Sequence, residues 1–415
     1  IMKVKETKGI TLIALVITIV VLLILAGVVI ATLNGNDNII KNANTAVGIY
    51  NEKVNEEHGI LDTLEEKLKE YTKGGSSNPT TPEEPETPPT TPTVDSNGLA
   101  TKKETIIPDE ENNPNLQIVI PAGFAPAILQ TGTTQSLPGE DGSVKNKMPA
   151  SQWNNITAEN INKGIVVVDA DGNEFVWIPI TDSSKFARTA WIVGEWDEPE
   201  ADELAETSTL NAYWEDKTTD EYKNMVTSVN NHKGFYVARY EASANSDSSK
   251  AQSKRGATTW INISQTDAIT KSANYNSTLH SHLMYGIEWD SVLNWLNGNA
   301  TISSSTKGQT KPMELADLQT NSRSWGNYDG STGSAATGED SSNTGKSEYW
   351  KANNIYDLAG NVYEMTQEKY STEDKIVHRG GGFIDPGIID PAAFRWYRRS
   401  NSGDIFCGFR ASFYL

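Results

Sequence analysis

The stretch ITLIALVITIVVLLILAGVVIATL, residues 10–33, constrains this chain more than any other, because nothing from Ile10 to Asn36 carries a charge. As a helix rising about 1.5 Å per residue, a run of that length crosses about 30 Å of hydrocarbon. Lys3, Lys5 and Lys8 precede it, and positive charge flanking a span keeps that end cytoplasmic. Everything after Asn36 is therefore expected outside the membrane, giving a single-pass protein at the cell surface with its bulk extracellular. A cleaved secretory signal is the alternative, but its apolar core is normally about 7–15 residues and ends in a small-residue cleavage site; neither feature is present. The formal net charge of −19 over 415 residues argues against nucleic acid as a partner, since phosphate backbones are bound through basic patches. The single cysteine, Cys407, excludes an internal disulfide framework and a multi-cysteine zinc site.

The order of basic leader, Gly9 and uninterrupted apolar helix resembles the leader junction of type IV pilins. The resemblance implies a leader at 1–9, cutting between Gly9 and Ile10 by a prepilin peptidase, and a pilin-like helix over 10–73. Other pilin subunits are then candidate partners. The family's usual glutamate at the fifth mature position is Ala14 here, which weakens the case for a self-polymerising major pilin. A minor pilin, a pseudopilin-like subunit and a plain membrane anchor stay open.

Beyond the span, Val47, Tyr50, Val54, Leu61, Leu64, Leu68 and Tyr71 recur at three- and four-residue steps, interrupted at Glu57, which predicts an amphipathic helix. It packs either on its own domain or against neighbours in a filament. The Pro-, Thr- and Glu-rich stretch over 74–100 cannot bury a core and reads as an extended spacer. From 101 onward, short apolar runs such as LQIVIPAGF and GIVVVDADGNEFVWIPI alternate with turn residues, predicting strands. Helical patterning is confined to pieces such as YGIEWDSVLNWLNG, where Ile287, Val292, Trp295 and Leu296 share a face. The fold class expected is α+β with much irregular structure, the eleven tryptophans anchoring its loops.

Over 165–415, after a connecting β-rich segment at 101–164, GNEFVWIPI, GFYVARYEAS, YGIEWDSVLNWLN, SWGN, NIYDLAGNVYEMT, HRGGGF and CGFRASF resemble in order the formylglycine-generating enzyme or sulfatase-modifying factor family. The resemblance implies a loop-rich variant of the C-type lectin fold. It also implies positions for chemistry. The oxidases of the family carry two copper-binding cysteines shortly after a Gly-Gly-Ser-aromatic motif; the matching positions are Asp385 and Asp390, and the serine is Gly382. Hard carboxylates do not replace soft thiolates, and Cys407, beside the GFR motif, is expected to pack as a small hydrophobe. Among His58, His232, His280, His282 and His378, only the H-x-H pair at 280 and 282 has metal-ligand spacing, and it is expected on a polar surface or loop. No nucleophile elbow or phosphate-cradling loop is present.

Two further features come from the resemblance. The motif YDLAGNVYE is expected to hold a structural Ca2+ through the carboxylates of Asp357 and Glu364 and the carbonyls of Gly360 and Val362, a hard-oxygen set on a tight loop. A turn cap at Asp357 and an arginine partner for Glu364 are the alternative. The ligand face is expected over 380–406, drawing on Phe383, Asp385, Asp390, Arg395, Trp396, Tyr397 and Arg399, with Asp385, Trp396 and Arg399 exposed, Arg398 and Arg410 structural, and a concave acidic pocket between them. Together these readings describe a surface-displayed pilin-like or membrane-anchored adhesin, presenting a catalytically inactive domain to a cell-surface or extracellular glycan or protein. An extracytoplasmic enzyme using Asp385 and Asp390 as hard-metal or acid/base groups, or a structural pilus subunit, are the alternatives.

Overall fold

The computed structural model describes residues 91–129, 144–191, 213–275, 279–303, 310–328, 343–370, 375–398 and 403–415. The leader junction at Gly9 and Ile10, the apolar span, the heptad-like seam, the spacer up to Thr90 and Arg399 lie outside the described residues. Among the described residues no helix is long and apolar enough to cross a membrane. What is described is a mixed α+β, sheet-rich domain with few helices.

Two sheets organise it. Their strands are β1 (Ala125–Leu129), β2 (Val144–Lys147), β3 (Val166–Val168), β4 (Glu174–Pro179), β5 (Tyr213–Trp214), β6 (Gly234–Ala238), β7 (His280–Leu283), β8 (Tyr363–Tyr370), β9 (Lys375–Arg379), β10 (Arg395–Arg398), β11 (Cys407–Phe409) and β12 (Ala411–Tyr414). The larger sheet runs β7-β12-β6-β4-β3-β1-β2, antiparallel throughout. The smaller has β8 at its centre, antiparallel to β9 and β5 and parallel to β11, with β10 beyond β9.

Strand β4 shows why the larger sheet forms. All six of its residues are buried, and side chains alternate across a strand. Val176 and Ile178 enter one core with Val166, Phe235 and Val237, whereas Phe175 and Trp177 enter another with Val167, Tyr236 and Phe413. A sheet covered on both faces reads as continuous apolar runs rather than as alternation. The first face is covered by helix α1 (Asp220–His232), through Tyr222, Met225 and Val229, which share one helical face. Thr219 caps α1 by accepting the Tyr222 N–H at 3.2 Å, and Lys233 ends it in the left-handed region at φ 59°. The second face is covered by Leu99, Ile106, Leu116, Ile118–Ile120 and Trp153. The connecting β-rich segment expected at 101–164 thus places Ile106, Leu116, Ile118–Ile120 and Trp153 in the same core as Val167, Phe175 and Phe413. Leu99 and Ala100, placed by sequence at the end of the spacer, are buried there too.

Helix α2 (Gln265–Ala273) starts at Ser264, which accepts the Asp267 N–H. Helix α3 (Gly286–Leu296) is buried along nearly its whole length, more completely than the single apolar face read from its sequence. It therefore carries Glu288 and Asp290 into the interior, where each is paired. Glu288 accepts the Tyr285 N–H at 2.9 Å; Asp290 helps to build the site described next.

Candidate functional site

Strand β9 is followed by three glycines, 380–382, where the chain has little room for side chains. Gly380 and Gly381 have φ of +90° and +73°, and a Cβ on Gly381 would lie 2.1 Å from the Asp390 carbonyl oxygen. A Cβ on Gly382 would lie 2.8 Å from the Tyr363 ring, so any side chain there would press on the tyrosine. The turn that follows delivers both aspartates to that tyrosine. The Tyr363 hydroxyl lies 2.6 Å from Asp385 Oδ2 and within hydrogen-bond reach of Asp390 Oδ2.

A phenol has one proton to donate, so both contacts are satisfied only if one carboxyl keeps its own proton. Burial, opposed by the Tyr363 hydrogen bond and reinforced by the Asp385 charge, pushes Asp390 up to about 7. Burial, Asp390 and Asp385 also hold the Tyr363 phenol well above its usual range. The Tyr363 hydroxyl faces both Asp385 Oδ2 and Asp390 Oδ2 as a donor, one phenol proton between two acceptors. The other Asp390 oxygen, Oδ1, is buried without a hydrogen-bond partner among the described residues. Trp396 packs against Tyr363 at 4.9 Å between ring centroids.

The expected ligand face divides at β10. Asp385, Asp390 and Trp396 gather around Tyr363, with Asp385 and Trp396 half-buried rather than exposed. Phe383 is buried against Phe406. Arg395 and Tyr397, two residues apart, share the opposite face of the strand. Tyr397 stacks on Tyr370 at 3.7 Å. Arg395, expected on the ligand face, is 2% exposed and belongs to an ion cluster that the sequence did not reveal. There its Nη2 donates to Asp290 Oδ2 at 2.5 Å and its Nε to Glu368 at 2.9 Å. Arg379 donates to Asp290 Oδ1 at 2.9 Å and Glu368 Oε2 at 3.3 Å, and Arg188 pairs with Glu368.

Burial raises Asp290, but Arg395, Arg379 and Arg188 more than reverse this and hold it below the usual carboxylate range. Glu215 completes the cluster. Burial, opposed by Arg188 and reinforced by the charges of Glu368 and Asp290, pushes it up to about 7. A Cβ on Gly286 would lie 2.5 Å from Glu368 and 3.1 Å from Glu215, so the glycine opening α3 is the place where the cluster meets backbone.

The expected calcium loop is a tight turn, with positive φ at Asp357, Gly360 and Asn361. A Cβ on Gly360 would lie 2.3 Å from the Asn327 carbonyl. Asp357 accepts the Gly345 N–H at 2.6 Å through Oδ2, while Oδ1 is buried without a partner among the described residues. Burial pushes this carboxyl up to about 7. Glu364 gives both oxygens to the Arg410 guanidinium, at 3.0 and 3.1 Å from Nε. The Val362 N–H is taken by Glu241 at 3.1 Å, a buried carboxylate that sequence reading missed and that burial, Asp357 and Glu364 push well up. Of the expected ligand set, Asp357 keeps one carboxylate oxygen unengaged and Glu364 is committed to an arginine. Among the described residues no group of three His, Cys, Asp or Glu is arranged to hold a metal ion.

The histidine pair also differs from expectation. His282 lies on β7 and is buried, with Nε2 3.0 Å from Glu288 and 3.0 Å from Ser412 Oγ. His280 is exposed and stacks on Tyr414. Cys407 is buried and pairs in register with Tyr363. A cavity of about 150 Å³ opens elsewhere, beside Ile180, Lys185, Asn294 and Trp295, and none of the expected ligand-face residues lines it.

No family model and no curated protein matches the chain. Solved structures similar to it include PvdO from Pseudomonas aeruginosa, at TM-score 0.31 and 13% identity over 59% of this chain and 96% of that chain. CarF matches at TM-score 0.28 and 14% identity over 44% and 87%. Treponema denticola variable protein 1 matches at TM-score 0.23 and 13% identity over 75% and 99%. Likeness at this level assigns neither a fold family nor an activity.

Proposed function

We propose that this chain is a surface-displayed binding protein, carried on a pilin-like or plain membrane anchor, whose formylglycine-generating-enzyme-like domain presents a ligand face without the family's oxidase chemistry. The observation that supports it most is the Asp385–Tyr363–Asp390 arrangement. Carboxylates engaged with a phenol stand where the resembled oxidases carry thiolates, and a soft metal has no matching donor there. The pilin-type junction at Gly9 and Ile10 supports display, with a prepilin peptidase and other pilin subunits as partners. The test replaces Asp385, Trp396 and Arg399 together by alanine and measures folding and attachment to host or partner surfaces. Loss of attachment by a folded variant is expected; attachment equal to the parent's overturns the assignment.

A second reading, an enzyme using acid/base chemistry, draws on the buried Asp390 carboxyl, raised to about 7 and held beside Asp385 on one phenol, since buried carboxyls can serve as general acids or bases. Calcium remains part of the proposal as a structural ion at Asp357 and the carbonyls of Gly360 and Val362. A chelator is expected to lower the melting temperature reversibly, and an unchanged melting temperature removes the ion from this reading.

A further inference from the structure

Six large hydrophobic residues are exposed among the described residues, and three of them surround one turn: Ile384 at 38%, Ile388 at 47% and Ile405 at 57%. Ile384 and Ile388 lie four residues apart on the turn, and Ile405 stands on a second loop tied to it by the Phe383–Phe406 ring contact at 5.8 Å. Between Ile384 and Ile388 lies Asp385, half-buried, whose side chain meets the Tyr363 hydroxyl and no cation among the described residues. Behind it Asp390, 4% exposed, keeps one oxygen without a partner. Aliphatic surface around an uncompensated carboxylate suits a partner that brings its own positive charge. A neutral saccharide would meet isoleucines that offer it no hydrogen bond.

We propose that the Ile384–Asp385–Ile388 turn, with Ile405, docks a protein partner that presents a lysine or arginine flanked by aliphatic side chains. The cation pairs with Asp385, and the aliphatic groups cover the isoleucines. This rests on the binding reading above and names the chemistry of its ligand. Partial burial strengthens such a pair relative to open water, and the net charge of −19 steers cationic partners toward the chain from a distance.

The experiment uses the full chain in detergent micelles and follows fluorescence anisotropy of a labelled, end-capped peptide of sequence Ile-Leu-Lys-Leu-Ile, alongside versions with Gln or Glu in place of Lys. The Lys peptide is expected to bind about tenfold more tightly than the Gln peptide, the ratio that about 1.4 kcal/mol gives. Asp385→Asn should erase that ratio and Asp385→Glu should restore most of it. Ile405→Ser, on the other loop, should weaken all three peptides alike while leaving the melting temperature unchanged. Equal binding of Lys and Gln peptides, or a ratio that survives Asp385→Asn, overturns the proposal. So does displacement of the peptide by methyl α-mannoside or by Ca2+ at concentrations that leave the Ile405→Ser variant unaffected, which would make the occupant a sugar or a metal. These outcomes leave the binding reading standing; only unaltered attachment by the Asp385, Trp396 and Arg399 triple variant removes it.

Discussion

Tyr363 holds two acidic side chains with a single hydroxyl, and the proton this requires makes stability depend on pH. Asp390 has a folded-state value near 7 against an ordinary 3.8. Its contribution is therefore fully present below about pH 4 and is lost as pH rises through about 7, with a span on the order of 4 kcal/mol. Glu215, raised to about 7, acts in the same direction. Urea unfolding at pH 5 and pH 8 should show the parent more stable at pH 5, and Asp390→Asn should flatten the difference without abolishing it. An equal slope in the variant would place the proton elsewhere. Gly382→Ser tests the close packing directly. It should cost about 1–3 kcal/mol by driving a side chain into the Tyr363 ring, and Tyr363→Ala should remove that added cost. The sequence showed Asp385 and Asp390 as a pair, but Tyr363 was hidden inside a motif read for calcium, and nothing in its neighbours marks a phenol that reaches across to residues 385 and 390.

At the scale of elements, legibility followed the distance between partners. Strand β4 and helix α3 were readable because their apolar runs are local, and burial on both faces makes such runs continuous. The ion cluster was not readable, since residues 188, 215, 290, 368, 379 and 395 meet only once β8, β9, β10 and α3 are assembled. Arginine is mostly exposed in proteins, so nothing in the sequence marked Arg395 as a buried ion-pair partner, and the polar run before His282 concealed a buried strand. Removing one member should be severe. Asp290→Ala leaves Arg379 and Arg395 buried with less compensation and should cost about 3–5 kcal/mol, measured as a lower urea midpoint. Exchanging all three for apolar residues of similar volume should recover much of that loss, whereas failure to recover would show that the cluster also fixes the arrangement of strands.

At the scale of the molecule, the N-terminal covering of the larger sheet and the strands that close it lie far apart in the chain. Ile118–Ile120 and Phe413 belong to one core, and β12 pairs with both β6 and β7 in the interior of the sheet. Deleting residues 411–415 should leave two strand edges unpaired, and such edges recruit other chains. The expected result is aggregated protein on size exclusion where the parent is monodisperse, and a monodisperse truncated chain would show that the sheet closes without β12. The position of β12 also sets a clock. A polypeptide that emerges in order, whether from a ribosome or through a membrane, presents β6 and β7 long before the strand that joins them, so the larger sheet can close only after residues 411–414 have emerged. Until then β6 keeps one edge unpaired and β7 has no partner in the sheet, so the join between them is the last part of the larger sheet to form.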